Sequence, residues 1–218
     1  MTNLNFIYSE LTLAFSIMLL LIIGVFKKKS SSLIYNLSIL TLLIIFILSL
    51  SLFGKNSTSL FINSYKIDYL STFMKGLLYL SGIFVMLSST RYLILFQIFK
   101  IEYPILLLSS ILGMSIMISS NDLIVFYMGL ELQSLALYVL ASFKRENPLS
   151  AESGLKYFVL SALSSGLLLY GCSLIYGYAG STNFDIISSN INSVNYGLTL
   201  GIVFILVGLA FKISAVPF

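Results

Sequence analysis

The chain has no histidine and no tryptophan, and its 218 residues include a single cysteine, Cys172. One thiol can neither close an internal disulfide nor carry a Cys-ligated iron–sulfur cluster, and without histidine no haem can be held by one. No cofactor is therefore expected on this chain. Charge is scarce as well: twelve Lys or Arg and eight Asp or Glu make up 9% of the residues, against about 25% in a soluble domain. So thin a charged coat cannot keep a protein of this size in water. Apolar residues are what is plentiful, at 58% of the chain with a mean hydropathy of +1.02. Lipid is the remaining solvent. The net charge of +4 does not point to nucleic acid, because the basic residues are scattered between apolar runs rather than gathered into a stripe.

Crossing ~30 Å of hydrocarbon takes ~20 apolar residues, and seven such runs are present, at 8–26, 32–53, 70–91, 104–120, 122–142, 151–178 and 196–218. The first is followed, not preceded, by Lys27, Lys28 and Lys29, so it reads as a span and not as a cleaved signal peptide. With alternating spans, those lysines fall on one side together with Arg91, Lys100, Lys144 and Arg145, while loops on the other side hold only Lys55 and Lys66. The positive-inside rule then places the N-terminus outside. Pro104 suits the first turn of the fourth run, and Asn121 and Asp122 make a tight turn into the fifth, Asn121 as cap and Asp122 as complement to the helix dipole. FKRENPLS at 143–150 reads as an inner connection with Ser150 as cap, and 179–195 as a polar outer loop. The expected fold is an all-α integral membrane protein of about seven transmembrane helices.

Charges inside these runs need a reason. Glu131 lies nine residues after Asp122, ~13 Å along a helix, and shares a face with Tyr127, Ser134 and Tyr138. An acid at that depth marks an ion path, or else a hydrogen-bonded strut. Lys212 shares its face with Gly197, Gly201, Gly208 and Ala215, small residues that signal close helix packing, so it points into the bundle. Pro217 must disturb that helix, and a broken helix beside a buried lysine is a transporter feature; the bland alternative is a lysine snorkelling at a helix end. For Lys156 snorkelling and relay readings both stand, since its face carries Leu160, Leu163 and Leu167. Lys75 and Glu10 read as structural residues near helix ends, and Asp68, Glu102, Glu146, Glu152 and Asp185 as boundary or loop residues. No phosphate loop, metal-ligand spacing or nucleophile triad is present.

Three segments in order, NDLIVFYMGLELQSLALYVLASFKR, ESGLKYFVLSALSSGLLLYG and GLAFKISAVPF, resemble the core of the subunit N family of bacterial NADH-quinone oxidoreductase, subunit 2 in mitochondrial complex I. The resemblance is strong from about 104 to 218. It implies transmembrane helices 1–3 over residues 1–103 and a first antiporter-like repeat, helices 4–7, over 104–218, with the seventh helix broken near its end. It also implies proton translocation through Glu131, Lys156 and Lys212, with Glu131 and Lys212 as a coupled pair whose opening changes the lysine's proton affinity. Family members have about fourteen helices in two inverted repeats, so the fold here is expected to be incomplete. FMN, iron–sulfur clusters and quinone are expected on other subunits. The implied partners are the other membrane-arm subunits, lipid, and the remaining C-terminal half as a separate chain. The implied location is the bacterial inner (plasma) membrane, or the mitochondrial inner membrane. Two alternatives share the buried charges: a subunit of a multisubunit cation/proton antiporter, and a truncated, non-transporting remnant.

Overall fold

The computed structural model of the chain describes residues 7–27, 31–53, 57–190 and 196–215. Its elements are α1 (Tyr8–Phe26), α2 (Ser31–Ser51), β1 (Thr58–Leu60), β2 (Tyr65–Ile67), α3 (Tyr69–Leu95), α4 (Glu102–Ile118), α5 (Leu123–Ala141), α6 (Pro148–Ala179), α7 (Phe184–Asn190) and α8 (Tyr196–Lys212). Among the described residues, α1, α2, α3, α5 and α6 are long and apolar enough to cross a membrane. α4 and α8, with 17 residues each, are shorter apolar helices. At 1.5 Å per residue they rise ~26 Å, less than a turn short of the hydrocarbon thickness. These seven correspond to the seven apolar runs. Large side chains on their outer surfaces, such as Phe15, Met18, Val25 and Ile47, are exposed, as a lipid-facing surface requires.

Two apolar clusters form the interior. Leu13, Leu42, Tyr79, Met86, Leu108 and Ile111 join α1 to α4, and Leu130, Leu168, Cys172, Ile175 and Leu198 join α5, α6 and α8. Because lipid offers no hydrophobic drive, helices associate by close backbone approach at small residues. Gly113 of α4 and Gly129 of α5 meet in this way: a Cβ on Gly113 would lie 2.6 Å from both Gln133 N and Gly129 O. α6 and α8 meet through Gly171 and Gly201, where a Cβ on Gly171 would lie 2.8 Å from Gly201 O, and through Gly208, packed against Ser164 O and Leu168.

The helix ends correct several expectations. Asp122, not Asn121, caps α5, its Oδ1 accepting from Ile124 N at 2.8 Å. Asn147, not Ser150, caps α6, accepting from Leu149 N at 3.0 Å, so the helix starts at Pro148, where a missing N–H costs nothing. Ser150 donates to Ala141 O at 3.1 Å instead and ties the end of α5 to the start of α6. The last helix stops at Lys212 and not at 218. Ser214 takes a left-handed φ of 53°, and Ser214 N–H and Ala215 N–H donate to Phe211 O and Ala210 O at 3.1 and 2.9 Å. That pair of bonds is a Schellman ending with serine where glycine usually sits. Lys28, Lys29, Lys55 and Pro217, with the break read at Pro217, lie outside the described residues.

The connection between α2 and α3 carries a feature the all-helical expectation lacked, an antiparallel hairpin pairing Thr58 with Ile67 and Leu60 with Tyr65. Its tip residues Phe61, Ile62 and Asn63 all have positive φ, 51°, 55° and 65°. Only asparagine favours that region, so the segment contains no ordinary turn signal. A second unforeseen element, α7, occupies the connection between α6 and α8.

The hairpin, the α4–α5 turn and the α6–α7 connection are tied into a polar knot at one end of the bundle. Lys66 N–H donates to Ser119 O at 2.8 Å and Asn121 N–H to Ser64 O at 2.9 Å. Asn121 Nδ2 and Asn183 Nδ2 both donate to Asn63 O, each at 2.9 Å. Asp185 Oδ2 accepts from Asn63 Nδ2 at 2.7 Å and from Asn121 Nδ2 at 2.9 Å, and Thr182 donates to Asp122 Oδ2 at 2.6 Å. Those donated hydrogen bonds hold the Asp185 carboxyl below its usual range. Spans that alternate in direction would bring these three connections to one end, and they meet there.

Candidate functional site

The site is set by helical phase. Gly129 presses α5 against α4, and Glu131, two residues on, is rotated by about 200° so that it faces away from α4. On α8, Gly201 and Gly208 press against α6, and Lys212, one turn beyond Gly208, continues that inward face. The two side chains meet: Lys212 Nζ donates to Glu131 Oε1 at 3.1 Å, with only 11% and 22% of the respective side chains exposed. Of the companions on the glutamate's face, Ser134 and Tyr138 are buried and Tyr127 is half-buried.

Beside the pair lies a cleft of ≈ 610 Å³ between α5, α6 and α8, lined by Lys212 together with Gln133, Ser134, Tyr157, Ser161 and Ser214 among others. Its walls mix hydroxyls and an amide with leucine side chains, which is how a membrane interior accommodates water next to a charge. An ammonium that lines such a cleft can exchange its carboxylate partner for water, because Lys212 released from Glu131 faces the cleft and not lipid.

Lys156 is not brought to this pair. Its ammonium bonds Glu152 Oε1 at 2.5 Å, one turn back on α6, and 68% of its side chain is exposed. That placement agrees with the leucine face on which it lies, since Leu160 and Leu163 are exposed too. Tyr157, the next residue of α6, lines the cleft, as does Leu160 one turn beyond Lys156.

A second interior ion pair was not read from the sequence. Lys75 of α3 contacts Glu10 Oε1 of α1 at 2.5 Å, with 4% and 7% of the side chains exposed. Ser9 donates to Glu10 Oε2 at 2.8 Å, and Lys75 also donates to the Tyr65 hydroxyl of β2 at 2.9 Å. Burial, and then the nearby Glu10 charge, push the Tyr65 hydroxyl far above its usual range, so it stays protonated. The available signal was depth: on alternating spans, both charges fall within two turns of the same end. Among the described residues, no group of three or more His, Cys, Asp or Glu side chains could hold a metal ion.

Comparison with known proteins agrees with this architecture. Residues 120–218 match the family described as "NADH:quinone oxidoreductase/Mrp antiporter, TM". All 218 residues align at 65% identity with NADH-quinone oxidoreductase subunit N of Pelagibacter ubique (strain HTCC1062), covering 46% of that protein. The subunit N of Maricaulis maris (strain MCS10) is 54% identical over 156 residues, 71% of the chain and 32% of the relative. Among solved structures, a chain of respiratory complex I from Thermus thermophilus superposes with a TM-score of 0.81 at 26% identity, over 96% of this chain and 45% of that one. A chain of the Mrp complex from Dietzia sp. DQ12-45-1b shares the fold, with a TM-score of 0.79 at 18% identity over 100% of this chain and 42% of that one. The chain thus spans less than half the length of the proteins it matches, and it belongs to the NADH-quinone oxidoreductase/Mrp antiporter family as a multi-pass protein of the bacterial inner membrane similar to part of subunit N.

Proposed function

We propose that the chain contributes to redox-driven proton translocation in the membrane arm of an NADH-quinone oxidoreductase, with Glu131 and Lys212 as the coupled proton-handling pair. The observation that carries this reading is their contact at 3.1 Å across 81 residues of sequence, in the interior of a lipid-facing bundle and beside a cleft able to take water. Intramembrane ionisable residues that face the bundle and pair with one another mark ion paths. Withdrawing either partner removes the Coulombic support of the other, so a conformational change that opens the pair alters the balance for holding a proton there. The energy comes from NADH oxidation and quinone reduction on other subunits, which carry the FMN, the iron–sulfur clusters and the quinone site. In this reading residues 104–218 form the first antiporter-like repeat, its seventh helix interrupted after Lys212, and the N-terminus faces outside. The exposed Lys156 face meets neighbouring protein of the membrane arm, where Lys156 joins the line of protonatable groups.

Quinone-linked proton pumping by vesicles containing the assembled complex tests this. Glu131→Gln and Lys212→Met are each expected to lower the rate about a hundredfold or more, the order of effect of losing a positioned acid–base group, with normal amounts of assembled complex. Wild-type pumping in both would overturn the reading.

A further inference from the structure

We infer that Tyr138 is the proton relay through which the Glu131–Lys212 site communicates with the aqueous face at the α5–α6 connection. The inference rests on the translocation reading above and names the route by which protons reach the pair. Three observations on one residue carry it.

Tyr138 stands between two clefts. On one side is the ≈ 610 Å³ cleft that Lys212 lines. On the other is a cleft of ≈ 440 Å³ lined by Ser142, Arg145, Ala151 and Gly154, at the charged connection between α5 and α6. Among the described residues, Tyr138 is the one side chain common to both linings. It is seven residues beyond Glu131, ~10.5 Å along the same helical face, and so stands between the pair and the connection, with the ≈ 610 Å³ cleft on the Lys212 side.

The ring is fixed in place. α6 clamps it edge-on from two neighbours, Tyr157 at 4.9 Å between centroids with an interplanar angle of 85°, and Phe158 at 5.7 Å and 77°. Tyr157 lines the cleft on the Lys212 side and Phe158 the cleft on the connection side, so this aromatic trio is the partition between them. Edge-to-face packing of this sort sets the ring's position without using its polar atom.

The hydroxyl is unspent. Tyr138 is 6% exposed, and its Oη has no hydrogen-bond partner among the described residues. A buried hydroxyl without a partner is costly unless water or a transient partner serves it, and this one belongs to the residue that the two clefts share. It can accept a proton on its oxygen from one cleft while its own O–H proton passes to the other, so the side chain ends neutral and unchanged. The charged and titratable groups around the path are Tyr157 of α6, Glu131 of α5, Lys212 of α8 and Arg145 of the connection.

Tyr138→Phe in the assembled complex tests the assignment, because it keeps the ring and its contacts with Tyr157 and Phe158 and removes only the hydroxyl. Assembly and thermal stability are expected to equal or exceed wild type, since an unpartnered buried polar atom has been removed, while proton pumping falls about tenfold, as for ~1.4 kcal/mol added to a barrier. Wild-type pumping by this variant would overturn the inference. Poor assembly would overturn it as well, by showing that the hydroxyl holds structure. Glu131→Gln and Lys212→Met, measured in parallel, separate the two readings: if they stop pumping while Tyr138→Phe pumps normally, only the relay assignment fails, and if both pump normally, the translocation reading fails first.

Discussion

Glu10 and Lys75 show what one charge means to the other when neither can reach bulk water. Their contact at 2.5 Å is almost fully enclosed, so removing one partner leaves an uncompensated ion in a low-dielectric interior. Lys75→Met is therefore expected to destabilise the bundle by about 3–5 kcal/mol, and the double variant Glu10→Gln/Lys75→Met to recover most of that loss. Thermal denaturation in detergent measures both, and equal stability of the single and double variants would argue against an interior pair. This pair escaped the sequence because each charge, taken singly, had a sufficient explanation at its own helix end. Glu131 and Lys212 were legible because nothing in their own helices accounted for them: one lies at mid-helix among apolar residues, the other on a face of glycines. Lys156 was legible as an ambiguity. Its leucine neighbours left snorkelling and relay readings both open; its side chain is 68% exposed, and no feature of one sequence says what stands on that side.

At the scale of elements, helices followed from the apolar runs to within a turn or so, except the last, which stops at Lys212, whereas caps and connections did not. Asp122, Asn121, Asn147 and Ser150 are all competent caps, and tertiary partners decided between them: Asn121 is engaged by Asn63 and Asp185, which leaves the capping position to Asp122. The β1–β2 hairpin was hidden because Phe61 and Ile62 bear no turn chemistry; the hydrogen bonds from its neighbours impose their left-handed backbone. Those bonds make a specific prediction about acid. The Asp185 carboxyl, held below its ordinary value of 3.8 by donation from Asn121 and then Asn63, stabilises the knot fully above that ordinary value. The stabilisation is lost only as pH falls through the lower folded value. Hydrogen exchange at the Ser64 and Lys66 amides, whose N–H groups bond Phe61 O and Ser119 O, should change little in protection between pH 7 and about pH 4 and decline below it. A decline already complete by about pH 5 would contradict the assignment, and Asp185→Asn should abolish the acid step.

For the whole molecule, Lys100, Lys144 and Arg145 lie at the end opposite the knot, and the positive-inside rule predicts that this end faces inward. In cells carrying Cys172→Ser, an impermeant thiol reagent added outside should label Ser59→Cys, in the exposed hairpin, and not Glu146→Cys, in the α5–α6 connection. The reverse pattern would invert the molecule. The knot also has a consequence in time. Asn63 donates to Asp185 across 122 residues and accepts from Asn183 across 120, so its partners are made long after it. At a synthesis rate of about 5–20 residues per second, the hairpin waits roughly 6–24 seconds for them. Within that interval Ser119 and Asn121 can already fasten the hairpin to the α4–α5 turn, and the arrival of the α6–α7 connection, with Asn183 and Asp185, is the event that completes the knot.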